Sequence, residues 1–245
     1  MAIYTGIADA NGDFTVPFLS NYTGGQKVTV TAEKDAAIKT IELFAPSDTT
    51  GGGVIQFSGN INNFPLNIGE ITISGLSGII QDSSFDATTS FGNTNMFSKA
   101  KGLELIGSIS SVSSNAFRSW IESLFLILPD SIESIGVRSF LGWSKATTLK
   151  LPSSLKTVNQ LGFSGWEELL VLDLPETLLT CGPSAFYGLT ACYTLICRAT
   201  TPPEIQSTTF EGLNASCIIK VPAGSVAAYQ AAANWSAFAA RIQAI

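Results

Sequence analysis

The chain has 245 residues, 45% hydrophobic and 13% charged, with 13 Lys and Arg against 19 Asp and Glu. The net charge is -6, and so acidic a chain lacks the clustered cations that nucleic-acid phosphates or anionic lipids demand. It contains no histidine, which removes Ser-His-Asp and Cys-His catalysis, imidazole acid–base work and most catalytic zinc sites.

Residues 1–46 alternate as strands do, in "MAIYTGIADANGDFTVPF" and in "QKVTVTAEKDAAIKTIELFAP". Asn11-Gly12 is a hairpin-turn signal between two such runs. Asp9, Asn11 and Asp13 have the spacing that opens a calcium loop, but the twelfth position is Ser20 rather than a glutamate. A plain turn is the favoured reading there and a bound cation the alternative; no metal is expected elsewhere, and no cofactor. Residues 47–53, ending in Gly51-Gly52-Gly53, read as a flexible linker.

From residue 54 the pattern changes. Ile55 and Phe57 mark a first strand, and Ile71, Ile73 and Ile80 precede Phe85. Between Phe85 and Leu103 lie twice the residues that the later pattern uses, so "DATTSFGNTNMFSKAK" reads as an irregular turn carrying an insertion within residues 54–102.

Over 103–221 the chain repeats. Phe117, Phe140, Phe163, Phe186 and Phe210 recur every 23 or 24 residues. Each is followed three residues on by Trp120, Trp143, Trp166, Leu189 or Leu213. A Leu-x-Leu pair follows nine residues after each Phe: Leu126 and Leu128, Leu149 and Leu151, Leu172 and Leu174, with Leu195 and Cys197, then Ile219 and Val221 in the same places. Such a pair puts both side chains on one face of a short strand. Pro129, Pro152, Pro175 and Pro222 then stop it. Ile132, Leu155 and Leu178, then Ile135, Val158 and Cys181, continue inward along a short return stretch. No single turn buries its own apolar face, so the turns must stack. The longest apolar run, Ile121 to Leu128, contains Glu122 and Ser123, reads as a strand, and falls short of the roughly 18 residues of a membrane span. No membrane insertion is expected. In 222–245, Ser225 to Ala233 reads as a helix, with Trp235 and Phe238 closing the open end.

The stretches "LKLPSSLKTVNQLGFSGWEEL" and "LDLPETLLTCGPSAFYGLTAC" resemble the BspA-like leucine-rich repeats, with Trp or Leu in place of the family's usual Cys three residues after Phe. The resemblance covers Leu103 to Ile245, and more loosely Ile55 to Lys101. It implies a mainly β solenoid of about 23-residue units with short helical or irregular returns and a C-terminal helical cap. Gly6, Ala8, Asp9, Gly12, Phe14 and Val16, leading into the Val28–Ala32 strand, resemble a bacterial immunoglobulin-like module of the adhesin type. That likeness implies a small β-sandwich ahead of the solenoid, short for its family.

Other candidate chemistry is thin. Cys181 and Cys197 fall on inward positions and read as core thiols. Cys192 and Cys217 sit at similar places in adjacent turns and can approach each other; reduced thiols are the default and a disulfide is the alternative. Glu167-Glu168, and Asp130 with Glu133, fall on outer turns, where solvated charge is the ordinary outcome. The residues beside the inward leucines point outward: Phe125 and Ile127, Thr148 and Lys150, Val171 and Asp173, Thr194 and Ile196, Ile218 and Lys220. Stacking should line them into a continuous face able to bind a partner, or to pack on the N-terminal module or another copy.

The expectation is therefore a non-enzymatic binding protein. Met1 to Gly6 shows no basic or apolar leader segment, which suggests a virion part made in a host cytoplasm. That part would be a tail fibre or receptor-binding protein. Its partners would be a host-surface protein or glycan, other virion proteins through the N-terminal module, and copies of itself, as in a trimer. The alternative is a bacterial surface adhesin; a capsid decoration or other structural role ranks below both.

Overall fold

The computed structural model describes residues 69–88 and 96–245, and of the preceding chain the backbone of four strands: β1 Phe14–Pro17, β2 Lys27–Lys34, β3 Ala37–Phe44 and β4 Val54–Phe57. β2 and β3 pair antiparallel from Lys27↔Phe44 to Lys34↔Ala37. β1 pairs antiparallel with β4, and β4 with the start of β5, Glu70–Ile80. Val54–Phe57 is thus the strand expected there, but it runs against the repeat direction rather than along it. Asp9, Asn11 and Asp13, with the turn at Asn11-Gly12, lie outside the described residues.

From β5 onward the chain coils. β6, Gly102–Val112, pairs parallel with β5. These two strands are long enough to serve both faces of a coil. Ser111 and Val112 of β6 pair with β8, Ser134–Ile135, while Leu103 and Glu104 pair with β7, Phe125–Ile127. In later coils the two faces carry separate short strands. One face continues β8 through β10 Thr157–Val158, β12 Thr180–Cys181 and β14 Glu204–Ile205. The other carries the Leu-x-Leu strands: β7 with β9 Thr148–Lys150, then β11 Val171–Leu174, β13 Thr194–Cys197, β15 Ile218–Val221 and β16 Ile242–Ala244. The return stretch therefore holds a second parallel sheet. The expected strand Ile121–Leu128 shrinks to Phe125–Ile127, because Ser123 N–H turns back to the Trp120 carbonyl.

The prolines act as expected and also start the next turn. The carbonyls of Pro129, Pro152 and Pro175 accept from the N–H groups of Ile132, Leu155 and Leu178. A third ladder runs through the Phe corner, where Phe117, Phe140 and Phe163 donate to Ser139, Gly162 and Ala185 of the following coil.

The core is two aromatic columns. Phe85, Phe117, Phe140, Phe163, Phe186 and Phe210 stack with centroids 5.1 to 5.6 Å apart. Beside them Phe97, Trp120, Trp143 and Trp166 stack at 5.2 to 5.4 Å. Across the columns Phe and Trp meet edge to face, the arrangement that aromatic quadrupoles prefer. A buried indole N–H needs an acceptor. Trp120, Trp143 and Trp166 donate to the carbonyls of Phe85, Phe117 and Phe140, each one coil back, at 2.7 to 2.8 Å. The insertion lies between Phe85 and Phe97: Phe97, on the 3-10 turn Met96–Lys99, supplies the ring that the position three residues after Phe85 would otherwise hold. Buried Asp86 marks where the chain leaves the regular path, paired with Arg118 at 2.8 Å.

The C-terminal end is closed as expected. The helix is shorter than Ser225–Ala233: a 3-10 turn Ala223–Ser225 leads into α1, Val226–Ala231, and Ala232 is already extended. Trp235 and Phe238 both cover Phe210. Trp235 donates to the Pro203 carbonyl, and the buried Tyr229 hydroxyl to that of Ala199.

Each coil turns a corner in left-handed backbone two residues after Phe, at Ser119, Gly142, Gly165, Gly188 and Gly212. At Gly165 an added Cβ would meet Gly142 no closer than 3.4 Å, ordinary contact. Gly165→Ala should therefore cost only the left-handed backbone term, about 1–2 kcal/mol, read as a lower urea midpoint with an unchanged slope. Trp143→Phe should cost more, roughly 2–4 kcal/mol, since it strands the Phe117 carbonyl and opens a void in the column.

Candidate interaction face

The outward residues of the Leu-x-Leu strands differ in two ways from the face that alternation predicts. Their surface is not continuous. The strand ladder joins β7 to β9, and β11 through β13 and β15 to β16, but β9 and β11 do not pair. The break coincides with Leu149, an inward leucine that is only half-buried. The face is also less open than the alternation implied. Thr148, Lys150 and Ile218 are exposed, but Phe125, Ile127, Val171, Asp173, Thr194, Ile196 and Lys220 are half-covered. Residues one rung apart shield each other's flanks. The Phe125 ring lies over Gly102 and fills the space that a Cβ there would need.

On this side, large exposed apolar groups also stand one column earlier, just before the strands begin. They are Leu124 at 48%, Leu170 at 46% and Tyr193 at 54% exposed. The chain is still entering the ladder here: Tyr193 N–H donates to the Leu170 carbonyl, and Ile218 N–H to that of Tyr193. Leu170 and Tyr193 therefore stand in one column on successive coils of the C-terminal half of the face, and Ile218 follows on the next coil, one column over, in register with Thr194. Leu124 stands apart, beyond the more polar Thr147 and Thr148. The signal was legible as an apolar residue seven places after Phe, but strict alternation around the leucines passed over it.

Polar groups frame the row. Arg198 grips Asp173 through two hydrogen bonds of 2.7 Å, and the carboxylate in turn raises the guanidinium. Near the other end, Glu122 bridges Lys145 and Lys101 at 2.8 and 3.2 Å. Those hydrogen bonds hold its carboxyl below the ordinary range. Such a group contributes stability above its unfolded value and loses it as pH falls through the folded one.

The carboxylate pairs do not face across a cleft. Glu167 and Glu168 are exposed; Glu133 pairs with Lys156 at 2.8 Å, and Asp130 accepts the Ser153 N–H at 3.0 Å. All four cysteines are free and buried. Burial lifts the Cys197 thiol to about 11, partly offset by a hydrogen bond with Tyr229. Burial likewise raises Cys181. Among the described residues no cluster of His, Cys, Asp or Glu could hold a metal, and no helix is long and apolar enough to cross a membrane.

Residues 110–230 match the model described as "BspA type Leucine rich repeat region", in six copies. No curated protein matches the chain. A leucine-rich cell surface protein from Faecalibacterium prausnitzii is similar at 17% identity and a TM-score of 0.50, over 74% of this chain and 41% of its own. A leucine-rich repeat protein from Bacteroides ovatus shares 22% identity over 46% of this chain and 25% of its own, at a TM-score of 0.35. The leucine-rich repeat protein of T. pallidum shares 22% over 64% and 65%, at 0.44. This chain thus spans less than two thirds of the length of each. The F. prausnitzii likeness establishes a common fold.

Two substitutions separate face from core. Arg198→Ala breaks an exposed pair and should change stability by less than about 1 kcal/mol. Leu195→Ala, on the buried side of the same strand, should cost about 2–5 kcal/mol. Parallel urea titrations check both.

Proposed function

We propose that this BspA-type leucine-rich-repeat protein is a non-enzymatic recognition scaffold displayed at a bacterial surface, binding a protein or glycan on the Leu-x-Leu side of its solenoid. The observation that carries the reading is the group Leu170, Tyr193 and Ile218, three large apolar side chains left exposed on three consecutive coils of the Leu-x-Leu side. An apolar row rimmed by charge is a surface that a partner can desolvate with gain. Tyr193 supplies a large, rigid ring with a polar tip, suited equally to a sugar face or a protein pocket. The Arg198–Asp173 fork beside it offers bidentate hydrogen bonding.

Surface display draws support from the F. prausnitzii protein, described as a cell surface protein. The virion reading rested on the first residues of the chain and gains no support from the similarities. A non-enzymatic role agrees with carboxylates that are solvated, capped or ion-paired singly rather than opposed across a cleft.

The test is binding of fluorescently labelled protein to a panel of cells and to immobilised glycans, with sedimentation to follow self-association. The paired change Tyr193→Ala and Leu170→Ser should lower binding at least about tenfold, as loss of a central aromatic anchor does, with the melting temperature kept. Undiminished binding by the double variant would remove the face from the proposal, and turnover of any polysaccharide would remove the non-enzymatic reading.

A further inference from the structure

Cys192 and Cys217 lie in two adjacent coils, one residue out of step with each other, just ahead of paired strands. Cys192 stands two residues before Thr194, and Cys217 one residue before Ile218, and Thr194 and Ile218 are register partners in the parallel pair β13–β15. Both side chains are fully buried. Each sulfur lies against the carbonyl at the entrance of its own strand, Cys192 on Thr194 at 3.3 Å and Cys217 on Ile218 at 3.6 Å. The two thiols also lie close enough to perturb each other's ionisation. Neighbouring rungs sit roughly 4.8 Å apart and a one-residue offset adds a rise of about 3.3 Å, a diagonal of about 6 Å that still falls inside the range of about 4.4–6.8 Å between Cα atoms that a disulfide spans. Cys197 is differently placed, engaged by the Tyr229 hydroxyl at 3.0 Å.

We propose that Cys192 and Cys217 are a disulfide-forming pair, a covalent staple between the last two coils that closes when the protein meets a small-molecule disulfide such as oxidised glutathione. The contact with Cys217 lowers the Cys192 thiol, whereas the same contact and burial raise Cys217. The thiolate is the attacking species, so Cys192 reacts first. Cys192 loses its proton and attacks one sulfur of the oxidant, the oxidant's S–S bond breaks, and one small thiolate leaves. Cys217 then loses its proton to solvent and attacks the Cys192 sulfur of the mixed disulfide, expelling the second small thiolate. The chain gives up two electrons and two protons, and the oxidant is reduced to two thiols.

Access comes through the C-terminal end. Asn214 and Ala215, just ahead of Cys217, offer their carbonyls to Arg241 at 2.8 and 3.2 Å, so the 3-10 segment Trp235–Arg241 is tied over this coil. On its outer side the Cys217 coil is backed only by this cap segment and β16, and terminal elements open at lower cost than internal coils. The staple forms inside the core and is independent of what the outer face binds.

The experiment incubates the native full chain with oxidised glutathione, quenches with acid, unfolds, alkylates the remaining thiols and locates the linkage by mass spectrometry with fragmentation. The expected product has lost two hydrogens, retains two alkylatable cysteines, carries a Cys192–Cys217 bond, and melts at a higher temperature than the reduced protein. Cys217→Ser should abolish the product, and if that variant misfolds, the wild-type linkage map still decides. Four alkylatable thiols, a stable glutathione adduct, or a bond joining Cys181 to Cys197 would each overturn the proposal.

Discussion

Backbone ladders hold adjacent coils at the strand spacing of roughly 4.8 Å, and everything else in the solenoid conforms to that distance. It brings each Phe ring into offset stacking with the next, and each indole within reach of the carbonyl one coil back. The Trp column therefore does two tasks at one position: it fills volume, and it satisfies a corner carbonyl that faces the core. Leu189 and Leu213 take over where that column ends, and there the Phe column alone continues to the cap.

The same constraint explains the departures from regularity. Phe97 reaches the Trp column from a 3-10 turn because the column needs a ring at its N-terminal end, wherever the chain supplies it. β5 and β6 are long because one continuous strand there serves both faces. The gap between β9 and β11 leaves the Leu-x-Leu side in two pieces. It thereby concentrates the exposed apolar row on the C-terminal piece, next to the cap.

A periodic fold hides its function because most of its residues answer to the period. The groups that do not are the informative ones. Leu170 and Tyr193 are large and apolar at a place where Thr147 is polar. Cys192 continues a column that elsewhere holds Ser123, Ala146 and Leu169, with Cys217 one residue out of step in the next coil. Both departures fall in the last coils, so the outer face and the inner thiol pair share a short stretch of chain without sharing a mechanism.

The repeat length, the inward set from Leu103 to Val221, the strand stops at proline and the closing role of Trp235 and Phe238 were all legible in the chain, because each follows from local periodicity and from the geometry of single residues. The Trp-to-carbonyl bonds, the second sheet in the return stretch and the use of Phe97 were not, since they depend on atoms one coil away. Nor was the true exposure of the outer face. Alternation tells which way a side chain leaves its strand, and Thr148, Lys150 and Ile218 are open. It cannot tell how far neighbouring rungs cover a side chain, and so it ranked half-covered Val171 with open Ile218 and missed Tyr193. The sequence by itself determined that coils would stack. Only the tertiary structure decided which surface that stacking leaves uncovered, because burial is a property of neighbours brought together by the ladder and not of residues adjacent in the chain.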